Sequence, residues 1–465
     1  MAFISRSQLE QQSTPLVGST TGDRLGLVLL ATIYVKVFFT FSPFRHSLNA
    51  TESSGESSGG GSLTTQLYWL GILAFAAFII WRNWGTAMLL LRRTWIYFLP
   101  LAWFAVTLLW SPDVDVTLRR TVLIFFMAGV AFGVAAARPS PTDFLHVSAL
   151  VIGFIMLLSV LSVIALPGLA RSGGGQFLGI YQHKNGAGYV AGITVIFWIF
   201  LVVSSIRFEM KMIALFGSLL WLFFLVGTAS KTSLGLALLT PMIGIGLYYA
   251  LQLNLQWRVM AYVAGGVFLG IVAWTMLFVD WTIEDLGVLI FEDLTFTNRT
   301  NVWEYVIMSI EERPFIGYGY GAFWKTEDGL SNRLGAEMSA GWAATAGSAH
   351  NGYLNIWLES GIIGLLACVS VIVIVFHGCL DLMKRPGQPA LDRWVYASVF
   401  SLVLFLVVRD MMETSLYKGH AGSTMLFFMA SYLVPLWRWQ TDEQPFYREP
   451  EAPRMALAPA MRRRS

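Results

Sequence analysis

Residues 144–166 read FLHVSALVIGFIMLLSVLSVIAL, 23 positions without a single Asp, Glu, Lys or Arg. At 1.5 Å of rise per residue, such a helix covers the roughly 30 Å of hydrocarbon in a bilayer. The rest of the chain is of the same kind. No acid occurs between Glu56 and Asp113, between Asp143 and Glu209, or between Glu209 and Asp280. Of the 465 residues 56% are hydrophobic and only 13% charged, against roughly 25% charged in an average soluble domain. Mean hydropathy is +0.62. A soluble multidomain protein is therefore excluded, because its surface would need far more charge. Two cysteines, Cys368 and Cys379, both within apolar sequence, exclude a disulfide-stapled scaffold. A net charge of +3 with dispersed basic residues gives no sign of a nucleic-acid partner. The composition fits an all-α polytopic membrane bundle.

Further runs of spanning length lie near 24–44, 63–81, 94–110, 117–137, 186–206, 212–229, 232–252, 258–279, 351–379, 392–409 and 418–437, about twelve transmembrane helices in all. Segment 85–91 is too short to cross and reads as a cytoplasmic turn or a re-entrant piece. The first run is long and lacks a small-residue cleavage pattern, so no removable signal peptide is expected. Basic residues set the orientation. With both termini inside, the cytoplasmic loops hold Arg82, Arg92, Arg93, Arg138, Arg207, Lys211, Arg258, Lys384, Arg385 and Arg393. Loop 280–349 carries eleven acids against four bases, a net −7, and belongs outside. The organisation expected is a cytoplasmic tail 1–23, nine helices over 24–279 with a flexible periplasmic linker at 51–62, and a large periplasmic loop at 280–350. Three helices over 351–437 and a cytoplasmic tail 438–465 complete it. Trp110, Trp281 and Trp437 fall at span ends and read as an aromatic belt, and Arg119 and Arg120 as anchors.

The long loop is less generic. Val302, Val306 and Ile310 recur at helical spacing, with Trp303 and Ile307 beside them. Asn301 with Glu304 resembles a capping box and Pro314 marks the stop, which predicts an amphipathic helix over 302–312 on the membrane surface or the bundle mouth. Arg299 stands just before its N-terminus, a favourable place for an anion such as phosphate; the plain alternative is a solvated arginine. Gly317-Tyr318-Gly319-Tyr320-Gly321 reads as a turn with close backbone approach and flat tyrosine faces. His350-Asn351 opens the next span. An imidazole entering the bilayer is partly desolvated and, when neutral, accepts a proton; alternatively it bonds a backbone carbonyl.

At this point the residues resemble a family. His350-Asn351, nine residues, Gly361, two residues and Gly364 is similar to the signature of O-antigen ligases. Asn298-Arg299-Thr300-x-x-Trp303 and Arg313-Pro314-x-x-Gly317-Tyr318-Gly319-x-Gly321 resemble the stretch upstream of that histidine in the wider O-antigen ligase and Wzy-type polymerase superfamily. Gly179-Ile180-Tyr181-Gln182-His183-Lys184-Asn185-x-x-Gly188 and Ala229-Ser230-Lys231-Thr232-Ser233 resemble its exopolysaccharide (succinoglycan-type) polymerase branch. Ligases usually carry Ser-Arg where Ser230-Lys231 stands. The resemblance covers about residues 100–440 and leaves both tails unaccounted for.

The resemblance implies a GT-C-like fold and transfer of a glycan from an undecaprenyl-diphosphate donor to a glycan or lipid-linked acceptor. The reaction is placed at the periplasmic face of the bacterial inner membrane, among membrane lipids, with a chain-length regulator as a further partner. It implies His350 as general base in a single inverting step. No cofactor and no metal are expected, since no His/Cys/Asp cluster has ligand spacing. The donor pyrophosphate needs cations at a low-dielectric boundary, and Arg299, Lys231 and Arg409 fall on the predicted outer side. His183, Lys184, Asn185, Tyr318, Asn351 and Glu413 are candidate substrate contacts. His183, Lys184 and Asn185 read equally as a helix cap, and Arg409, Asp410 and Glu413 as an internal ion pair. Polymerisation of repeat units is the first reading and ligation of finished glycan the second. A transporter or flippase is the third, disfavoured because the spans show no internal repeat and no mid-span Asp or Glu.

Overall fold

The computed structural model describes residues 21–39, 63–205, 207–254, 256, 299–324, 347–419 and 421–443. These are almost wholly helical; the β pairing among them is an isolated bridge between Arg171 and Phe177. The helices are α1 Thr21–Phe38, α2 Leu63–Arg82, α3 Trp84–Thr94, α4 Leu99–Val106, α5 Val114–Ala136, α6 Pro141–Ala165 and α7 Lys184–Ser204. They continue with α8 Phe208–Gly227, α9 Lys231–Gln252, α10 Arg299–Glu312, α11 Gly352–Lys384, α12 Ala390–Arg409 and α13 Gly422–Glu443. Among the described residues eight helices are long and apolar enough to cross a membrane. The expected span 258–279, Trp281, the linker 51–62, most of both tails and loop residues 325–346 lie outside the described residues.

One expected turn is helix instead. Residues 84–109 run as α3, a 3-10 turn, α4 and a second 3-10 turn, together one candidate span, Trp84–Leu109. Arg92 and Arg93 interrupt the apolar pattern of α3 without breaking its backbone, because arginine is a good helix former. Asp113, placed by the sequence on a separate loop, is the N-cap of α5 and accepts the Val116 N–H at 3.0 Å. Ser140 caps α6 in the same way through Asp143.

In lipid the hydrophobic effect does not distinguish one apolar face from another, so close backbone approach decides which helices pair. Gly133 of α5 faces Ala76 of α2, where a Cβ would lie 2.8 Å from the alanine methyl. Gly153 of α6 and Gly217 of α8 both receive the Trp198 ring of α7, whose indole N–H donates to the Ala149 carbonyl at 3.0 Å. Gly244 of α9 meets Ser401 of α12. Buried hydroxyls such as Ser148, Thr194, Ser218 and Ser401 donate to carbonyls one turn back, which satisfies them without water. Trp437 is not a belt residue: it is buried and donates to the Pro139 carbonyl. At that same end Arg385 pairs with Asp381 and Asp442, and Arg393 donates to Gln252. The loops the sequence reads as cytoplasmic therefore share one end of the bundle.

The opposite end is built around a break in α11. Gly361 has φ +69° and ψ 179°, inside an otherwise helical segment, a conformation open essentially to glycine alone. The break exposes backbone groups, and the turn after α10 takes them up. Tyr318 N–H donates to the Leu358 carbonyl at 3.0 Å and Gly319 N–H to the Glu359 carbonyl at 2.8 Å, while Ile362 N–H donates to Pro314 at 2.9 Å. Trp103 adds an indole N–H to the Ser360 carbonyl at 2.7 Å. A Cβ on Gly317 would lie 2.6 Å from the α11 backbone, and one on Gly361 would overlap the Phe315 carbonyl. Two glycines of the sequence motifs thus fit together as a joint.

Candidate functional site at the His350 end

Helix α10 begins at Arg299, so Asn301 lies inside it and not at its cap. The face predicted from Val302, Val306 and Ile310 is buried, together with Tyr305, against Tyr318, Phe323, Trp324, Ala349 and Leu358. The apolar face of α10 therefore packs on the bundle mouth. Trp303 donates its indole N–H to the Ala349 carbonyl at 3.0 Å, which ties α10 to the residue preceding His350. The Arg299 side chain lies outside the described residues.

His350 has φ +48°, left-handed backbone uncommon for a residue with a Cβ. Two contacts hold it there. Asn351 caps α11, its Oδ1 accepting the N–H groups of Tyr353 and Leu354 at 3.0 and 3.1 Å. Gly352 N–H donates to the Asp410 carbonyl at 2.7 Å, and the Asp410 carboxylate occupies the space a Cβ on Gly352 would need. The imidazole side chain is 43% exposed, yet its Nδ1 is buried, has no hydrogen-bond partner, and lies 3.9 Å from Glu413 Oε2. That distance is a charge contact and not a hydrogen bond. Glu413 Oε1 accepts from Asn185 Nδ2 at 3.3 Å.

Helix α7 supplies the second wall. His183 is its N-cap, Nδ1 accepting the Asn185 N–H at 3.2 Å, so the cap reading describes that residue. One turn after Asn185, the Tyr189 ring lies 4.6 Å from the Arg409 guanidinium, a cation–π contact. Arg409 is only 9% exposed. No ion pair joins it to Asp410 among the described residues, contrary to the expected pairing. Asp410 is itself fully buried. Its Oδ1 accepts from Ser415 N, Ser415 Oγ and Leu416 N at 2.7, 3.0 and 2.9 Å, whereas Oδ2 has no partner. Burial pushes its carboxyl up to about 6 despite those bonds. Lys231 is exposed at the first position of α9. Gly188 of α7, bare of a side chain, fits against the adjacent Ser230 and brings Lys231 to the same end of the bundle.

His350, Glu413, Asn185 and Arg409 are thus linked by direct or adjacent contacts, with Lys184 half-buried beside Asn185. Tyr318 is placed differently. It is buried, with its hydroxyl donating to Glu312 Oε2 at 2.7 Å and lying 3.0 Å from the Ser309 carbonyl, so it fixes the turn and offers no open face. Burial and the Glu312 carboxylate raise its phenol above the ordinary range. Tyr320 is likewise internal, stacked on Phe104 with centroids 4.3 Å apart.

The sequence reading missed a buried polar network beneath this mouth. Glu359, inside the run expected to hold no acid, accepts the Gly321 N–H at 2.9 Å, and Arg120, read as an anchor, donates to the Gly321 carbonyl. Asn355 accepts from Trp324 Nε1 at 2.9 Å and from Ala349 N–H at 3.3 Å. The network secures both ends of the long loop to α5 and α11. The signal was present: Glu359 is an acid two residues before the signature glycine. Among the described residues no three His, Cys, Asp or Glu side chains converge as a metal site would need.

Parts of the chain are similar to known proteins. Residues 216–369, which include His350, Gly361 and Gly364, match the family model described as O-Antigen ligase. The chain is 29% identical over 297 residues to the exopolysaccharide production protein ExoQ of Rhizobium meliloti, covering 59% of this chain and 64% of that protein. It is 28% identical over 165 residues to an O-antigen ligase of Salmonella typhimurium, covering 34% of this chain and 38% of that one. The expected resemblance to the O-antigen ligase superfamily and its exopolysaccharide branch is therefore shown, over less than two thirds of each relative's length.

Proposed function

We propose that the chain is a membrane glycosyltransferase that polymerises oligosaccharide repeat units carried on undecaprenyl diphosphate, working at the periplasmic face of the inner membrane. The observation that carries the reading is His350. Its backbone is left-handed and its half-exposed imidazole turns Nδ1 inward toward Glu413, which also accepts from Asn185, one turn before the Tyr189 ring that holds Arg409.

A glycosyl diphosphate already contains a good leaving group, so the protein must orient two reactants, neutralise developing charge and remove one proton. The acceptor hydroxyl attacks the anomeric carbon as the bond from that carbon to the diphosphate oxygen breaks, inverting the centre. The acceptor proton passes to His350, and undecaprenyl diphosphate leaves with the bonding electron pair. Glu413 facing Nδ1 favours the tautomer with its proton there, leaving Nε2 as the acceptor; the contact tightens once substrate excludes water. Arg409, with Lys231 and Arg299, holds the diphosphate. A low-dielectric surround strengthens that attraction, and a guanidinium on a tyrosine face keeps its edge free for oxygen. On this reading protein cations balance the charge, and no metal or cofactor is required. Asn185, Lys184 and His183 flank the acceptor side.

Purified His350→Ala with lipid-linked donor tests the base: intact insertion with loss of polymer is expected, and normal chain lengths would remove the assignment. Mass spectrometry of lipid-linked glycans from a null strain separates the classes. Single repeats only mean polymerase and long unattached chains mean ligase; labelling of intact cells with a membrane-impermeant reagent separates repeats exposed outside from repeats retained on the cytoplasmic leaflet, which mean transport.

A further inference from the structure

The turn that plugs the break in α11 ends in an exposed apolar tip. Phe315 is 68% exposed and Ile316 is also exposed, although residues 299–324 come from a loop assigned to water by its charge. The surroundings of this tip are informative. Below it, the exposed side chains of α11 recur as Ile363, Leu366, Ser370, Val373 and, toward the far end, His377, one stripe starting two residues past the break. On the neighbouring span the exposed stripe runs Trp95, Leu99, Ala102, Val106 and Leu109, ending at Leu109, which is 84% exposed. Trp110 then donates its indole N–H to the Ile316 carbonyl at 3.3 Å. Both stripes are the outward faces of membrane-length helices, and both terminate at Phe315-Ile316. The tip therefore continues a lipid-facing surface.

The two carbonyls that flank Phe315 are paired. In hydrocarbon an unpaired carbonyl is costly, so exposed turns normally stay out of it. Here the Pro314 carbonyl accepts from both Ile362 N–H and Trp357 Nε1 at 2.9 Å, the Ile316 carbonyl accepts from Trp110, and Pro314 has no N–H to satisfy. Just above, the exposed side of α10 alternates Glu304, Ile307, Met308, Glu311 and Glu312, a mixed face suited to headgroups and not to acyl chains. Arg313 stands between the two zones with its guanidinium over the Tyr318 ring.

We propose that Phe315 and Ile316 dip into the acyl region of the outer leaflet as a fixed membrane wedge, with α10 held at headgroup level, so that the bilayer surface itself sets the height of the long loop. The partner is lipid hydrocarbon, with a phosphate headgroup beside Arg313. The inference rests on the membrane fold and not on the proposed reaction.

Nitroxide labels on Phe315→Cys, Leu366→Cys and Glu311→Cys, in the full chain reconstituted into phosphatidylglycerol–phosphatidylethanolamine vesicles, read immersion directly from relaxation by oxygen against a water-soluble nickel chelate. Cys368 and Cys379 are buried, and the unsubstituted chain reports any background labelling. The expected result is an oxygen preference at 315 approaching that at 366, with the chelate preferred at 311. A chelate preference at 315 equal to that at 311 overturns the proposal. Should Phe315→Cys fail to fold, Ile316→Cys carries the same test with the same two outcomes. Loss of glycan transfer in His350→Ala leaves these readings unchanged, which separates the wedge from the catalytic reading.

Discussion

Replacing Gly361 by alanine tests the joint on which the whole His350 end depends. Its backbone sits in a region costing an L-residue about 1–3 kcal/mol, and the new methyl would overlap the Phe315 carbonyl. The chain then has two ways out. It can hold the turn in place and accept both strain and overlap, the latter worth a further ~1–3 kcal/mol as overpacking. Or it can release the turn, losing the three backbone bonds from Tyr318, Gly319 and Ile362, at about 1 kcal/mol each, together with the indole bonds of Trp357 and Trp110. The first route costs about 2–6 kcal/mol and the second about 5 kcal/mol, beyond an ordinary surface change. In thermal scans of detergent-solubilised protein the expected outcome is a drop in apparent Tm of several degrees or more, with glycan transfer lost in parallel because Trp303 and Ala349 move with the turn. Gly168→Ala, at a glycine with open space around its Cβ position, is the matched control and should be near neutral. A Gly361→Ala protein with unchanged Tm and full transfer would show that the break in α11 is not a stabilised joint, and the reasoning would fail.

Three other substitutions address the site. Glu413→Gln keeps an oxygen for Asn185 and the shape of the pocket but removes the charge facing His350. The expected result is a kcat lowered about tenfold with KM little changed, and an unaltered kcat would detach Glu413 from the base. Arg409→Lys keeps the charge and loses the flat contact with Tyr189, worth about 0.5–2 kcal/mol. Donor KM should rise several-fold while Tm stays within a few degrees, and an unchanged KM argues against guanidinium-specific binding. Asp410→Asn changes a pH response. Because burial raises the folded-state carboxyl above its ordinary value, its favourable contribution is present below the unfolded value near 3.8 and is lost as pH rises through about 6. Wild type should therefore gain more Tm than Asp410→Asn on going from pH 8 to pH 5, and parallel profiles would count against a buried proton at that position.

The membrane bundle was legible because a span announces itself through its own residues, and the start of α11 was legible because His350-Asn351 stands directly before it. What escaped the reading depends on distant partners. Gly361 was legible as a signature glycine, but not as a break in a helix, which needs the Phe315 carbonyl 46 residues earlier. Trp437 looks like a belt residue until Pro139 appears beneath its indole. Glu359 and Arg120 were discounted as an acid overlooked and an arginine at an edge; the Gly321 peptide is what joins them. Tyr318 was read as an open face because its hydroxyl's partners, Ser309 and Glu312, lie on the far side of a turn whose path three glycines decide.

The break at Gly361 also divides labour along a single helix. Unbroken, the 33 residues of α11 would measure about 50 Å, much more than a bilayer accommodates. Divided there, residues 362–384 make a piece of about 35 Å, and the preceding segment is released from the membrane's demand for apolar sequence. Polar residues such as Asn355 and Glu359 can then be buried above the break while the apolar anchor below it stays as it is.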